Sequence, residues 1–471
     1  MAAHRTLAAL QDAVATMLAA LAAMLSALAI DPEPGPAILA VVLSISLSRS
    51  QLDRTARERL EAALALPLVA LVAAGAGVLL QRWPWIGALG LTAGLSVPIW
   101  LRRFGPLATR AGSLIALPFV TLLAVPYVPA TKVGPALARL MPVVVALLAL
   151  AWVSVAHALA RRARWLAPAP RTHDAHAKTE SALRPDAPTR MAAQMGVALG
   201  ASFVVGFVFF AERWSWIVLT AFIVLSGSRG RLDVAYKSVL RVVGAAGGTG
   251  IALVFTLRFG DRDAATVALI LAAVFFGLWL RPLGYAWWAL FVTIALALLQ
   301  NFTGATEQPI LWQRLEEIVI GAIIGVAAAW FVWPIRSTAV LRRRMADALA
   351  ALSEALDPAN ADRTSDAFVA ALGRVEQIAP AFRASRLVTR TTSPADWIDA
   401  LIACRAPAVA LIQARETPAA LRKAVGSARR AVRDPSELSA ALTDLRRLLA
   451  AGPAADTDGA DLQAHAATAK K

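Results

Sequence analysis

Residues 46–60 read SLSRSQLDRTARERL and residues 226–240 read SGSRGRLDVAYKSVL. The pattern Ser-x-Ser-Arg-x-x-Leu-Asp therefore occurs twice, 180 positions apart, each time where an apolar run gives way to charge. A second pair keeps nearly the same spacing: WLRRFG at 100–105 returns as WLRPLG at 279–284. Between and around these marks the apolar runs number six plus six. They fall at about 13–30, 35–48, 62–81, 84–101, 111–127 and 140–159, then at about 192–210, 214–228, 242–257, 264–280, 283–300 and 315–334. A bilayer core of about 30 Å is crossed by about 20 helical residues, so these runs read as membrane spans. Six is even, so both copies insert the same way up, related by a pseudo-twofold axis along the membrane normal.

Composition supports this. Of 471 residues 58% are hydrophobic and 17% charged, with a mean hydropathy of +0.61. A soluble domain is nearer half apolar and a quarter charged. The net charge of +16 raises the question of nucleic acid, but most arginines stand at span ends or in the C-terminal third, which is a topology signal. Nucleic acid is therefore not an expected partner. The segments after even-numbered spans hold nineteen Lys and Arg, the opposite loops seven. By the positive-inside rule both termini are cytoplasmic.

The expected architecture is an all-α polytopic membrane protein with two parallel six-helix repeats. Its expected parts are a membrane repeat over 1–160, a cytoplasmic linker over 161–190, a second membrane repeat over 191–335, a cytoplasmic helical domain over 336–451 and a disordered tail over 452–471. In the helical domain, DPSELSAAL from Asp434 has the Asp-Pro-x-Glu order of a capped helix start. One cysteine, Cys404, excludes disulfides, and five histidines leave little for a metal site. No GxxxxGK[ST], HExxH, GxSxG or CxxC occurs, so neither a built-in ATPase nor a common hydrolase, zinc or redox centre is expected, and no cofactor.

The runs ahead of both Ser-x-Ser-Arg motifs are short, about 14 residues or roughly 21 Å of helix. Paired short apolar segments at matching positions of two repeats point to a transport site. Arg49, Asp53, Arg229 and Asp233 are accordingly candidate pathway residues, with the two Asp also able to cap the following helices. Glu316 and Glu317, in LWQRLEEIVIGAIIG at 311–325, are candidates for proton coupling; a snorkelling carboxylate or one paired with Arg314 is the plainer alternative. The GxxxG pairs Gly244/Gly248 and Gly321/Gly325 read as helix-packing faces.

WSWIVLTA from Trp214, SRGRL from Ser228 and RVVGAAGG from Arg241, in that order, resemble the core of the fusaric acid resistance family, and RLEEIVIGAIIGVAAAWFVWP at 314–334 resembles the close of its membrane unit. The likeness is good over about 192–334 and weaker in the first half, where EAALALP stands in place of Arg-x-x-Gly. It implies efflux of organic acids, including aromatic carboxylates, across the bacterial inner membrane, with no enzymatic activity. The related plant aluminium-activated malate transporters pair two six-span subunits around a basic anion pathway; by that likeness the two halves here form one pathway. Trp216, Thr220 and Arg241 carry over as pathway residues, with Arg102 and Arg281 near the cytoplasmic mouth. The expected partners are a small organic anion, the lipid bilayer and a periplasmic adaptor protein. A passive anion channel of the same build and a non-transporting scaffold acting through the C-terminal domain are the alternatives.

Overall fold

A computed structural model of the full chain describes residues 2–51, 56–124, 135–163, 165, 185–210, 213–258, 264–302, 309–360, 363–387, 394–415 and 418–451. The regular structure among them is helical throughout. The chain divides into two compact units: the first comprises Met1–Ser228 and Lys237–Pro334, the second Arg229–Tyr236 and Ile335–Lys471. Most of the expected linker and all of the expected tail lie outside the described residues.

The first unit holds α1 (Ala2–Ile30), α2 (Pro34–Gln51), α3 (Ala56–Arg82), α4 (Pro84–Leu101), α5 (Pro106–Ala124), α6 (Pro135–Arg162), α7 (Ala187–Phe209), α8 (Trp214–Leu225), α9 (Arg231–Arg258) from Lys237 onward, α10 (Ala264–Leu280), α11 (Tyr285–Phe302) and α12 (Pro309–Phe331); the opening residues of α9, Arg231–Tyr236, group with the second unit. Among the described residues eight stretches, in α1, α3–α7, α9 and α10, are long and apolar enough to cross a membrane; α2, α8 and α11 supply shorter apolar helices. Leu64, Leu68, Leu89, Val208 and Phe331 point outward with most of their surface exposed. So much outward apolar surface is what lipid, not water, covers. The chain is a multi-pass membrane protein.

Helix contacts come in matching sets. α1 packs on α2 and α6, and α2 on α6; α7 packs on α8 and α12, and α8 on α12. α4 meets α5 as α10 meets α11, and α4 meets α7 as α10 meets α1. Each WLR stretch ends its helix in a 3-10 turn, Arg102–Phe104 and Arg281–Leu283, followed by a glycine.

The two Ser-x-Ser-Arg stretches fold differently. After α8 the chain breaks, with Gly227 at φ 64° and Gly230 at φ 146°, backbone that only glycine adopts without strain. The corresponding positions in the first half are Leu47 and Ser50. Neither favours that conformation, so α2 continues to Gln51. Both apolar segments ahead of the Arg are short, as expected, Pro34–Ser48 and Trp214–Leu225, but only the second ends there: α8 has 12 residues, about 18 Å.

In the second unit, α13 (Ser337–Ala355), α14 (Asp366–Glu376), α15 (Ala379–Arg386), α16 (Pro394–Ala403), α17 (Arg405–Ala414), α18 (Ala419–Ala431) and α19 (Pro435–Ala451) turn one apolar stripe each toward a common core. Leu341, Met345, Leu349, Phe368, Leu372, Ile398, Val425, Leu442 and Leu445 fill it. The start of α19 is capped where the sequence placed it, Asp434 Oδ1 accepting from the Ser436 backbone N–H at 3.0 Å and from its hydroxyl at 2.6 Å. Arg383 and Arg386 on α15 tie to Asp396 and Asp399 on α16. Burial pushes the Asp399 carboxyl upward, but the bonds from the two arginines outweigh it and hold the group below the usual carboxylate range. A depressed folded value stabilises above the unfolded one, about pH 3.9, and that contribution is lost as pH falls through the folded value. Asp399→Asn in the full-length protein is thus expected to lower the melting temperature slightly at pH 7. The deficit should shrink as pH falls below the unfolded value and vanish once it is below the folded one; the pair is solvent-screened, so the effect is about a few tenths of a kcal/mol. Equal melting of both proteins at pH 7 would count against it.

Candidate functional site

Two close helix approaches set the geometry. On α12, a Cβ added at Gly321 would lie 2.5 Å from the Ile217 carbonyl oxygen and 2.9 Å from Thr220 Cβ, and one at Gly325 would lie 3.4 Å from Val224 Cγ1. The GxxxG face thus beds α12 onto α8. One and two turns earlier on α12, Glu317 and Arg314 come to the level of the first turn of α8. There the Arg314 guanidinium stands 4.6 Å from the centre of the Trp216 ring, within cation–π range. On α9, a Cβ at Gly244 would lie 2.7 Å from Ala289 Cβ and one at Gly248 2.6 Å from the Leu290 carbonyl oxygen. This approach to α11 brings Arg241, one turn before Gly244, level with Tyr285, the first residue of α11.

The groups collected here are buried and underpaired. Arg241 is 1% exposed, Arg314 2% and Glu317 0%. Nε and Nη2 of Arg241, Nε and Nη1 of Arg314, both carboxylate oxygens of Glu317, the Thr220 hydroxyl and the Tyr285 hydroxyl find no hydrogen-bond partner among the described residues. Arg213 Nε approaches Glu317 Oε1 at 3.4 Å, an ion pair by distance that lacks the alignment of a hydrogen bond. Arg241 and Arg314 are close enough for their charges to oppose each other, and Glu317 offsets Arg314. A buried ion costs several kcal/mol unless paired, and a bundle that keeps two guanidinium groups with idle donors is shaped for something that supplies the acceptors. Chemically the arrangement accepts an anion: donors in fork geometry suit a carboxylate, and the indole of Trp216 beside them suits a flat apolar body.

Of the residues expected from the sequence, Trp216, Thr220, Arg241 and Glu317 belong to this cluster. Glu316 lies one position from it, exposed. Arg229 and Asp233 do not join it, for residues Arg229–Tyr236 group with the second unit. There Asp233 Oδ2 accepts from the Arg229 backbone N–H at 3.0 Å, and Arg229 Nη1 donates to the Gln377 carbonyl at 3.4 Å. Arg344 donates to the Arg374 carbonyl nearby. Both carbonyls end α14, where cations oppose the helix dipole. Burial, with the charges of Arg229 and Arg374 added, pushes the Arg344 guanidinium down to about 10. Arg49 lies on α2, but its side chain is outside the described residues, as is Asp53 altogether.

Three buried polar groups were not singled out as site residues from sequence: Arg314 as a member of the cluster, Tyr285, and His157. In the first half Ser48 Oγ stands 2.7 Å from Thr16 Oγ1 and 3.0 Å from His157 Nε2, joining α1, α2 and α6 through the serine of the repeated motif. Arg314 carried a usable signal, an arginine three residues from a glutamate inside an otherwise apolar helix.

Comparison with known proteins places this cluster inside a recognised segment. Residues 197–328 match the fusaric acid resistance protein-like family. Over 170 residues, 36% of this chain, the sequence is 30% identical to the uncharacterized protein YhfK of Escherichia coli (strain K12), and the match spans 23% of that relative. No solved structure matches.

Proposed function

We propose that this multi-pass membrane protein, whose second membrane half carries the fusaric acid resistance-like segment, exports organic anions, aromatic carboxylates foremost, across a bacterial inner membrane. One observation carries the reading: Arg241 and Arg314 are almost wholly buried with guanidinium donors unused. A carboxylate is costly to place in hydrocarbon, and fixed buried cations lower that cost along a path. Trp216 takes the ring, Arg241 and Arg314 the carboxylate, and Thr220 offers a further hydroxyl.

The two halves act as parallel pseudo-symmetric repeats, supported by the recurring motifs and the matched helix contacts. Both termini are cytoplasmic, supported by the Lys and Arg distribution, and a periplasmic adaptor receives the exported anion. Arg49 and Asp53 are assigned to the path by their place in the repeated motif, whereas Arg229 and Asp233, bonded within the second unit, are not part of it. Glu317 couples flux to protons. Its carboxylate stands 3.4 Å from Arg213 and offsets the charge of Arg314; an anion arriving at Arg314 weakens that attraction, and a proton on Glu317 compensates it. Glu316 assists from the exposed side.

The test is uptake of radiolabelled benzoate into inverted vesicles with and without an imposed proton gradient. Gradient-stimulated uptake by the wild type is expected. A Glu316→Gln, Glu317→Gln double variant should retain uptake and lose most of the gradient's effect, about tenfold or more by analogy with other positioned acid–base groups. An unchanged gradient response dismisses the coupling role; gradient-independent current under voltage alone makes the protein a channel; no flux of any acid leaves a scaffold.

A further inference from the structure

The second copy of the repeated motif gives α9 a held start. Gly230, at φ 146°, lies against the opening of α13: a Cβ there would stand 2.8 Å from Ser337 Oγ and 3.2 Å from Ser337 Cα. Ser50, its counterpart in the first copy, carries the carbon that this approach excludes. The first backbone N–H groups of a helix find no partner within it, and here the segment ahead of α13 supplies two. The Arg231 N–H donates to the Ile335 carbonyl at 3.2 Å, and the Leu232 N–H donates to Ser337 Oγ at 2.9 Å. Asp233 Oδ2 reaches back to accept from the Arg229 N–H at 3.0 Å. The Leu232 side chain packs, partly buried, on the core of the second unit. Just ahead of Ile335 the chain is held as well, for Gln194 Nε2 on α7 donates to the carbonyls of Val332 at 2.9 Å and Trp333 at 3.3 Å.

From this start α9 runs unbroken to Arg258. Arg241 comes ten positions after Arg231, about 15 Å along the axis. The stretch between, RLDVAYKSVLR, holds neither proline nor glycine, the residues at which helices kink. A shift or turn of the first residues therefore reaches Arg241. No hydrogen bond fixes its Nε and Nη2 among the described residues, so where those donors stand follows from the backbone of α9. We propose that Gly230, Asp233 and Ser337 are positioning residues for the anion site: by fixing the start of α9 they set the height and rotation at which Arg241 presents its guanidinium. None of the three touches the anion. This rests on the organic-anion reading above and adds to it what holds the cation in place.

The experiment measures benzoate flux by the full-length protein in liposomes, per folded molecule, over a range of benzoate concentrations. Ser337→Ala and Asp233→Ala are each expected to raise KM about tenfold, within the range that a distant change produces by displacing a binding group by about 1 Å. Ser337→Thr and Asp233→Asn keep the accepting oxygen and should keep the wild-type KM. A residue that only supports the fold lowers the yield of folded protein and leaves the KM of the folded fraction alone. KM thus separates positioning from support. Arg241→Lys supplies the second arm, since an ammonium keeps the charge without the fork. In that background Ser337→Ala should change KM less than about twofold, because effects that pass through one residue do not add. The Asp233 pair carries the same test where Ser337→Ala does not fold. Unchanged KM in both alanine variants, beside a raised KM in Arg241→Lys, overturns the proposal and spares the anion reading. A full effect of Ser337→Ala that persists in the Arg241→Lys background overturns it too. Wild-type flux in Arg241→Gln overturns both.

Discussion

Arg241→Gln is expected to cut organic-anion flux at least a hundredfold while leaving the folded protein as stable as the wild type or more so. The two halves of that expectation have opposite signs for one reason. In the empty protein Nε and Nη2 of Arg241 bond nothing, so the side chain bears a desolvation cost of several kcal/mol without full repayment. A neutral amide removes that cost. With a carboxylate in place the same nitrogens make charge-assisted bonds worth about 1.5–3 kcal/mol each. Losing two is a factor of about 10²–10⁴, at 1.4 kcal/mol per factor of ten. Arg241→Lys should fall between, since an ammonium keeps the charge but not the fork. Flux in proteoliposomes and thermal melting in detergent check the pair together. Undiminished flux sinks the anion site. A large fall in melting temperature alongside lost flux would make Arg241 a structural residue instead.

The parts legible in the sequence were those written in local pattern. Hydropathy located the apolar helices, eight of which among the described residues are long enough to span a membrane; the capped start at Asp434 located α19, and the small-residue spacings at Gly244 and Gly321 located the faces on which α9 and α12 pack. The repeated Ser-x-Ser-Arg-x-x-Leu-Asp motif was legible as a repeat but not as a structure. Gly227 and Gly230 let the second copy break the chain, whereas Leu47 and Ser50 carry the first on as helix. The fate of Arg229 was hidden too, because a basic residue at a span end looks the same whether it meets an anion or caps a helix such as α14, whose end it meets 148 positions later in the chain. Tyr285 was hidden for a related reason. An aromatic residue at a helix end matches the interfacial pattern, and only the burial of its hydroxyl sets it apart. Charged groups that meet through tertiary packing leave little trace in one-dimensional order, and Arg241 on α9 stands more than 70 positions before Arg314 and Glu317 on α12.

Gly321→Leu is expected to abolish accumulation of folded protein, and a graded series of glycine substitutions shows why. At Gly200 an added Cβ meets nothing within 4 Å, so Gly200→Ala should be neutral or gain up to about 1 kcal/mol of helix propensity. At Gly325 the added carbon meets Val224 Cγ1 at 3.4 Å, ordinary contact that a side-chain methyl can yield to, and Gly325→Ala should cost under about 1 kcal/mol. At Gly321 the first obstacle is the Ile217 carbonyl oxygen at 2.5 Å. That atom belongs to helical backbone and cannot swing aside, so α12 itself must move off α8. Alanine there is expected to cost about 1–3 kcal/mol as overpacking, and leucine, with three more carbons against the same backbone, more than the few kcal/mol by which α8 and α12 hold together. The function fails before the fold does. Glu317 is one turn and Arg314 two turns from Gly321, and a shift of α12 by even 1 Å draws Arg314 away from the Trp216 ring it now faces. Gly321→Ala should therefore retain a monodisperse, meltable protein with reduced benzoate flux, while Gly200→Ala and Gly325→Ala keep both. Yield after size exclusion, melting temperature and flux, measured on the same four variants, test the ordering. Equal behaviour of Gly321→Ala and Gly200→Ala would mean that α12 and α8 do not meet at Gly321, and the placement of Arg314 over Trp216 would fall with it.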